Sequence, residues 1–216
     1  MKYDAILYDM DGTVLDTVSD LCDSMNYALS RFSLPPISDA QAMQYLGSGA
    51  KRYAELACPE GSDAELIEQV LQVYKPWYKA HCRIRTAPYA GIPELMQTLK
   101  ACGAKQAIIS NKPDSAVQAL VPEFFDGLLE LAVGESAEVR RKPAPDSVLR
   151  AAGEMGVAVE KCVYIGDTEV DIETARRAGM DCVCVAWGFR SVEQLRSAGA
   201  PRIVRSVEEL KAVLLA

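Results

Sequence analysis

The sequence predicts an α/β protein built on a doubly wound, Rossmann-like parallel sheet, with a small all-α domain inserted after the first strand. Three observations predict this fold. Short, continuously apolar runs recur along the chain, amphipathic helical patterns separate most of them, and one long interval shows helical patterns only. Continuous apolar runs are typical of parallel strands covered on both faces, and their alternation with helices is typical of a doubly wound sheet.

Six apolar runs are the candidate strands. In chain order they cover residues 4–8, 105–110, 128–133, 162–165, 181–186 and 202–204. The helical patterns between them cover residues 91–101, 144–155 and 170–178. Each of these helical patterns is followed within two residues by a glycine, which is a common signal for the end of a helix.

The long helical interval, residues 17–83, follows the first strand and shows no strand pattern. Its apolar residues recur at helical spacing, which indicates amphipathic helices. Two pairs fit the capping box that begins a helix, namely Ser38 with Gln41 and Ser62 with Glu65. We therefore expect an α/β core formed by residues 1–16 and 84–216, and a helical cap domain formed by residues 17–83.

The composition excludes several classes of function. The chain has 216 residues and a net charge of −7, so it gains no counterion-release affinity for nucleic acid. No apolar run is long enough to cross a membrane, and the N-terminus reads straight into a strand. The seven cysteines are an odd number and form no C-x-x-C pair, which favours free thiols in a reducing compartment. We expect a cytoplasmic protein without nucleic-acid or membrane partners.

Polar residues capable of chemistry gather where the predicted strands end. They are Asp9 and Asp11, then Ser110, Asn111 and Lys112, Lys142 in a later loop, and Asp167 with Asp171. Because the carboxyl ends of parallel strands meet at one edge of the sheet, these side chains should lie together. Four carboxylates at one edge repel each other unless a cation lies among them. Oxygen ligands without histidine or cysteine suit Mg²⁺.

A phosphate group is the expected ligand at this edge. Lys142, beside the carboxylates, can screen the attacking group and bind a phosphate oxygen, and Ser110 with nearby backbone N–H groups can bind another. Gly12 lets the backbone approach a phosphate closely, and Thr13 and Asn111 are further candidate phosphate contacts. The pattern indicates a magnesium-dependent site for a small phosphorylated metabolite.

Four motifs resemble those of the haloacid dehalogenase superfamily of phosphohydrolases, and the resemblance covers nearly the whole chain. They are DMDGT at 9–13, IISN at 108–111, Lys142, and GDTEVD at 166–171. The resemblance implies that Asp9 is the nucleophile, forming an aspartyl-phosphate, and that Asp11 is the general acid and then the base. It also implies that Asp9, Asp167 and the Asp11 backbone carbonyl bind Mg²⁺. Asp171 would then hold metal-bound water.

An acid two residues after the nucleophile separates the phosphatases of this superfamily from its dehalogenases, which lack it. Asp11 therefore favours phosphate chemistry. Longer stretches, among them SNKP and WGFR, resemble the phosphoglycolate phosphatase branch, as does the position of the helical insertion. The resemblance implies hydrolysis of 2-phosphoglycolate to glycolate and phosphate. Relatives that act on pyrophosphate, nucleotides or sugar phosphates keep those substrates open.

In the helical interval, the segment LGSGAKRY places Gly47 and Gly49 in a loop ahead of two cations, Lys51 and Arg52. One hypothesis is a substrate-specificity loop that closes over the site and offers a cation to a substrate carboxylate. The alternative is an ordinary turn between helices followed by solvated basic residues. All four residues are candidate substrate contacts.

Two other functions stay open at this point. A phosphosugar mutase would pass the phosphate from Asp9 to a second sugar hydroxyl rather than to water. A non-catalytic binding module could use the same fold, although the intact acidic and basic motif positions argue against it. A monomer and a homodimer are both compatible with the sequence.

Overall fold

The computed structural model describes residues 1–137 and 139–216. Its strands are β1 (Ala5–Tyr8), β2 (Leu15–Asp16), β3 (Ala87–Pro88), β4 (Lys105–Pro113), β5 (Leu131–Glu135), β6 (Cys162–Gly166), β7 (Asp181–Val185) and β8 (Ile203–Val204). Its helices are α1 (Val18–Ser30), α2 (Asp39–Tyr45), α3 (Ala50–Ala57), α4 (Ala64–His81), α5 (Ile92–Ala101), α6 (Asp114–Phe124), α7 (Asp146–Glu154), α8 (Glu169–Ala178), α9 (Val192–Ser197) and α10 (Val207–Leu215).

Six of the strands form a parallel sheet in the order β5-β4-β1-β6-β7-β8. β1 lies in the middle because it pairs with β4 on one side and with β6 on the other. The chain winds from β1 to β4 and β5, then crosses to β6 and continues outward to β8. This order confirms the predicted doubly wound fold. It also places a crevice beyond the carboxyl end of β1, where the winding reverses.

Both faces of the sheet are buried, as the continuous apolar runs predict. Alternate residues of β1 point to opposite faces. Ile6 and Tyr8 pack in one apolar layer with α5, α6 and α10, and Ala5 and Leu7 pack in the other with α7, α8 and α9. A ligand can therefore reach the central strands only at their ends.

One predicted strand lies slightly further along the chain than expected. The run at 128–133 forms β5 only from Leu131 onward. Leu128 and Leu129 are apolar because they pack against the core from a turn after α6, which Leu128 N closes by donating to the Phe125 carbonyl oxygen at 2.9 Å. The other five predicted strands are found within three residues of their expected ends.

Helices α1 to α4 form the interval that the sequence predicts as all-α. The first capping box is confirmed, because the Ser38 hydroxyl accepts from Gln41 N and Gln41 Oε1 accepts from Ser38 N. The second is wrong: Asp63 rather than Ser62 precedes α4, and its carboxylate accepts from Leu66 N at 2.8 Å. An aspartate at this position offers the helix N-terminus a charged acceptor, which the helix dipole favours.

The apolar side chains of this helical interval are continuous with the layer that covers one face of the sheet. The division of the chain into a core and a separate domain at 17–83 therefore stays a prediction. Within the described ranges, no helix combines the length and the hydrophobicity needed to span a membrane.

Two connections join the helical interval to the sheet, and they run side by side as the antiparallel ribbon β2–β3. The carboxylate of Asp20, buried in the first turn of α1, accepts hydrogen bonds across this junction. Its donors are the backbone N–H groups of Ile84, Arg85 and Thr86 and the Thr86 hydroxyl, at 2.9–3.0 Å. Asp20 thus ties the entry of the interval to its exit.

Candidate active site

The central strand β1 delivers Asp9 to the crevice at its carboxyl end. Asp9 is 6% exposed, and its backbone N–H donates to the Ile165 carbonyl oxygen at 2.8 Å, so the sheet itself fixes the residue. Its Oδ1 accepts from Met10 N at 2.7 Å and lies 3.0 Å from Lys142 Nζ. Its Oδ2 has no hydrogen-bond partner among the described residues. One carboxylate oxygen is therefore held while the other is available for chemistry.

Lys142 reaches the crevice from the loop before α7, and its side chain is buried. Nζ donates to Asp171 Oδ1 and to the Tyr164 hydroxyl, both at 2.8 Å, and Tyr164 donates in turn to the Ile109 carbonyl oxygen at 3.0 Å. Burial alone would lower the pKa of Lys142, but the combined charges of Asp171 and Asp9 raise that pKa well above its usual value. The lysine therefore stays protonated, as a group that screens Asp9 must.

β6 delivers Asp167, and the first turn of α8 delivers Asp171. Asp167 Oδ1 accepts from the Thr13 hydroxyl at 2.8 Å, and its Oδ2 accepts from Phe189 N at 2.7 Å. Asp171 is more fully occupied, because Oδ1 accepts from the buried lysine and Oδ2 accepts from Asp167 N, Thr168 N and the Thr168 hydroxyl at 2.8–3.2 Å. The turn around Asp171 is thus fixed by its own carboxylate.

Asp9, Asp167 and Asp171 form a buried cluster that fits a cation, since one oxygen of each lies within 4.8 Å of the others. Burial raises the pKa of Asp9 to about 7 against the opposing attraction of Lys142, and burial together with Asp171 and Asp9 raises the pKa of Asp167 well above its usual range. A cation would relieve this repulsion, and an all-oxygen donor set suits a hard divalent ion. Asp9 and Asp167 are the two with lone pairs to spare.

Asp11 lies in the turn after β1 and is partly exposed to a cavity. Its Oδ1 accepts from Lys112 Nζ at 2.7 Å, and the same ammonium donates to the hydroxyl of Tyr78 in α4. Lys112 comes from the segment of β4 where the pairing with β5 shifts register, and such irregularities often re-aim side chains next to active sites. Lys112 therefore joins a carboxylate of the sheet edge to a phenol of the helical interval.

The cavity lies between the sheet edge and the helical interval. The space not filled by protein, which includes the open mouth of the cavity, is about 460 Å³. The sheet edge supplies a polar floor that includes Asp9, Asp11, Ser110 and Lys112. The helical interval supplies a mainly apolar and aromatic roof that includes Leu21, Leu46, Tyr53, Tyr74 and Tyr78. The arrangement suits a small ligand with a polar end.

Thr13 and Asn111, which the sequence suggests as phosphate contacts, have other partners. The Thr13 hydroxyl donates to Asp167. The Asn111 amide donates to the carbonyl oxygens of Gly47 at 3.1 Å and Lys142 at 3.0 Å, and its oxygen accepts from Lys142 N at 2.8 Å. Both side chains position other residues of the site, because their polar atoms are already used.

Gly12 and Ser110 are the other two predicted phosphate contacts at the sheet edge, and the structure gives them different neighbours. Gly12 has a φ of +81°, and a Cβ there would overlap the Asp167 carboxylate. Asp167 therefore requires a glycine here, and the approach of a phosphate to the Gly12 backbone stays a prediction. Ser110 lines the cavity, and its oxygen accepts from Lys112 N at 3.3 Å. Its hydroxyl proton stays available to a phosphate oxygen.

Gly47 and Gly49 line the cavity as expected of a loop over the site. Lys51 and Arg52 do not reach it: both are exposed, and Arg52 pairs with Glu55 at 3.0 Å. The physical reason is helical periodicity, because the buried face of α3 begins at residue 50 and continues at residue 53, which turns residues 51 and 52 outward. The expectation that either cation contacts substrate therefore loses its geometric support.

Arg190, which the sequence did not place, joins the core to the helical interval. Its guanidinium pairs with both carboxylate oxygens of Glu169, at 2.8 and 2.9 Å, and donates to the carbonyl oxygens of Met43 at 2.7 Å and Leu46 at 3.0 Å. The core therefore holds the end of α2 and the following loop. The WGFR segment was the available signal, but its resemblance says nothing of what the side chain touches.

The fold and the site together define a class of protein: a doubly wound α/β protein with an aspartate–lysine cluster beneath a helical insertion. The model of the haloacid dehalogenase-like hydrolase family matches residues 6–185. The chain belongs to this family, which confirms the resemblance drawn from its motifs.

Individual relatives are phosphatases. A phosphoglycolate phosphatase of Xanthomonas campestris pv. campestris (strain 8004) is 33% identical over 86% of this chain and 84% of its own length. An N-acetylmuramic acid 6-phosphate phosphatase of Pseudomonas aeruginosa is 29% identical over 88% of this chain and 84% of its own. The crystal structure of a candidate phosphoglycolate phosphatase from Lactobacillus delbrueckii subsp. bulgaricus has a TM-score of 0.95 and 40% identity, covering 99% of both chains. The chain is accordingly an enzyme of the phosphatase kind.

Proposed function

We propose that this enzyme is Mg²⁺-dependent and hydrolyses a small phosphate monoester through an aspartyl-phosphate on Asp9. The observation that carries the proposal is the asymmetry of the Asp9 carboxylate. Met10 N and Lys142 hold its Oδ1, while its Oδ2 has no hydrogen-bond partner among the described residues, and Asp9 lines the cavity. A nucleophile needs a fixed orientation and an open lone pair. The Ser110 hydroxyl is the proposed direct contact of a phosphoryl oxygen. Lys142 is the proposed second contact, and it would exchange one of its three present partners, Asp9, Asp171 and Tyr164, for the phosphate.

Asp11 is the proposed acid and base. It donates a proton to the leaving oxygen as the ester bond breaks, and it then takes a proton from the water that attacks the aspartyl-phosphate. Its carboxylate is near enough to the cavity for both transfers. The 2.7 Å contact with Lys112 holds one of its oxygens in place.

Asp9 and Asp167 are the proposed Mg²⁺ ligands, with the backbone carbonyl of Asp11. Two hydrogen bonds already orient Asp167. Asp171 is left outside direct contact, because its oxygens accept four hydrogen bonds from protein groups. When bound, the cation supplies the positive charge that lets several carboxylates and a phosphate share one site.

2-Phosphoglycolate is the proposed substrate, with glycolate and phosphate as products. The names of the relatives support it, and so does the small size of the cavity. A sugar phosphate is the second candidate, because one relative of similar identity is an N-acetylmuramic acid 6-phosphate phosphatase. The seven cysteines, all within the described ranges, are free thiols, which suits the proposed cytoplasmic setting.

The experiment is phosphate release from a panel of metabolites, with Mg²⁺ and with EDTA, in the wild type and in Asp9→Asn. We expect release from 2-phosphoglycolate that needs both Mg²⁺ and Asp9. Activity that survives in EDTA, or in Asp9→Asn, would contradict the mechanism. An isomerised phosphosugar in place of free phosphate would identify a mutase instead.

A further inference from the structure

Lys112 alone carries a positive charge among the described residues that line the cavity. Its side chain is 1% exposed. Burying an ammonium is unfavourable unless the charge is paired or used. The nucleophile does not account for this cation, because a different lysine, Lys142, already contacts Asp9 and Asp171. Asp11 pairs with Lys112 at 2.7 Å, so the question is whether the ammonium also serves a ligand in the cavity.

The ammonium of Lys112 has one hydrogen-bond donor to spare. A lysine carries three N–H donors and no acceptor. One donates to Asp11 Oδ1 and another to the Tyr78 hydroxyl, and the described part of the chain provides no third acceptor. Because Lys112 lines the cavity, its remaining N–H is available to a ligand there.

The position of Lys112 determines which part of a substrate it can reach. Asp11 is the proposed proton donor to the leaving oxygen, so the leaving alcohol lies beside Asp11. Lys112 Nζ is 2.7 Å from that carboxylate, so a leaving alcohol that takes a proton from Asp11 also lies close to this ammonium. In 2-phosphoglycolate only two covalent bonds separate the ester oxygen from the carboxylate carbon, so the carboxylate lies within reach of this ammonium.

The roof of the cavity offers a substrate no charged group that could compete with Lys112. Leu21 and Leu46 are apolar, and the stacked rings of Tyr74 and Tyr78 have centroids 5.6 Å apart. Burial, reinforced by the charge of Asp11, raises the pKa of both phenols well above their usual range, so both stay neutral. A substrate that enters beneath this roof meets only neutral groups on the roof side, and the one ammonium of the described lining is that of Lys112, beside Asp11.

We propose that Lys112 selects substrates whose leaving group carries a second anion close to the ester oxygen, and that it does so by donating its free N–H to that anion. This inference rests on the proposed phosphatase function and narrows it to short phosphate esters of hydroxycarboxylic acids. Lys112 is a specificity-determining residue in this scheme. Tyr78 holds the same ammonium from α4, so the selecting group is shared between the sheet edge and the helical interval.

The test compares 2-phosphoglycolate with ethyl phosphate, which has a methyl group where the carboxylate would be. Both are assayed with Mg²⁺ in the full-length wild type and in three variants. Lys112→Met removes the charge and keeps the length of the side chain, and Lys112→Arg keeps the charge. Lys51→Met is the matched control, because it removes a lysine that is exposed and outside the cavity. kcat and KM are measured for each pair.

In the wild type we expect a higher kcat/KM for 2-phosphoglycolate than for ethyl phosphate. Lys112→Met should lower this preference about 10- to 100-fold, which is the usual effect of losing a hydrogen bond to a charged group. A higher KM for 2-phosphoglycolate should carry the change, because the contact forms in the ground state and the transition state alike. Any misplacement of Asp11 lowers kcat on both substrates and cancels in the ratio. Lys112→Arg should recover much of the preference, and Lys51→Met should keep all of it.

An unchanged preference in folded Lys112→Met overturns the inference and leaves the phosphatase proposal standing. So does a collapse of the preference in Lys51→Met, or a wild type that hydrolyses the two substrates equally well. Loss of Mg²⁺- and Asp9-dependent phosphate release from both substrates would instead overturn the proposed function, and the inference with it. If Lys112→Met does not fold, Tyr78→Phe replaces it. That variant removes one contact of the ammonium, and it should lower the preference by about threefold to tenfold. No loss in Tyr78→Phe overturns the inference.

Discussion

Replacing Asp9 by asparagine should abolish activity and, in the absence of magnesium, stabilise the protein. An amide cannot attack phosphorus, so phosphate release should fall on the order of 10⁴-fold or more. The side chain keeps its size, and its oxygen can still accept from Met10 N as Asp9 Oδ1 does at 2.7 Å. The fold should therefore persist. The gain in stability comes from removing a buried charge.

The magnitude follows from the pKa of Asp9. Burial, against the opposing attraction of Lys142, raises this pKa from 3.8 to about 7. The folded and unfolded pKa values thus differ by about 3, so ionising Asp9 in the folded state costs about 4 kcal/mol more than ionising it in the unfolded chain. The folded pKa lies above the unfolded one, so the carboxyl group costs little below about pH 4, and the penalty grows as the pH rises and is complete above about pH 7. Asparagine escapes this penalty.

The assay is urea unfolding in EDTA at pH 5 and pH 8. Asp9→Asn should unfold at higher urea than the wild type, with a gain of up to about 4 kcal/mol at pH 8 and less than half of that at pH 5. Added Mg²⁺ should narrow the difference, because it stabilises the wild-type carboxylates. A variant no more stable than the wild type at pH 8 in EDTA would refute the electrostatic reasoning.

A matched control uses Asp20, another buried carboxylate, whose oxygens are surrounded by hydrogen-bond donors. Asp20 accepts from three backbone N–H groups and one hydroxyl. An amide cannot accept from donors on both sides, so Asp20→Asn should destabilise the protein by about 1–3 kcal/mol. The sign of the change should thus differ between Asp9→Asn and Asp20→Asn, and equal signs would show that carboxylate burial alone sets the effect.

Three further variants probe the site and its cover. Asp11→Asn should lower kcat about 10²- to 10⁴-fold on alkyl phosphates and less on an aryl phosphate with a good leaving group; full activity on ethyl phosphate would rule out its acid–base role. Gly12→Ala should weaken Mg²⁺-induced stabilisation, measured as the shift in Tm, because its methyl group overlaps the Asp167 carboxylate and the backbone has a φ of +81°; an unaltered shift would mean that Asp167 does not depend on that space. Arg190→Ala should lower hydrogen-exchange protection at the end of α2 by about 1–3 kcal/mol, since it frees the carbonyl groups of Met43 in the helix and of Leu46 just after it; unchanged protection would show that the contact does not hold the helical interval.

The sequence predicted those parts of the molecule that have a local signal. Buried parallel strands are apolar throughout, so the runs around β1 and β6 marked the sheet and placed Asp9 and Asp167 at its edge. The Ser38 capping box was predicted because both partners lie within one helical turn. Such signals depend only on the spacing of residues that are close together in the sequence.

The remaining features depend on contacts between distant segments. Lys112 is 101 residues from Asp11, and Arg190 is 144 residues from Leu46. The spacing of apolar residues along one strand or helix does not indicate which distant residue a side chain contacts. Lys51 and Arg52 show the converse: a basic pair beside a glycine-rich loop suggested an anion site, but the register of α3 turns both outward. The sequence supplied the charges, and only the packing of the helical interval decided which of them faces the cavity.

The two connections between the helical interval and the sheet, β2 and β3, also determine which changes of sequence the fold can accept. β2 pairs with β3, and Asp20 bridges the same junction, so an inserted segment begins and ends at one point. The entropy of closing such an insertion grows only slowly with its length. A longer, shorter or differently folded insert can therefore be grafted there, provided it keeps an acceptor where Asp20 stands. The sheet that holds the nucleophile and Lys112 need not move, so a new insert would replace the roof of the cavity and keep its floor.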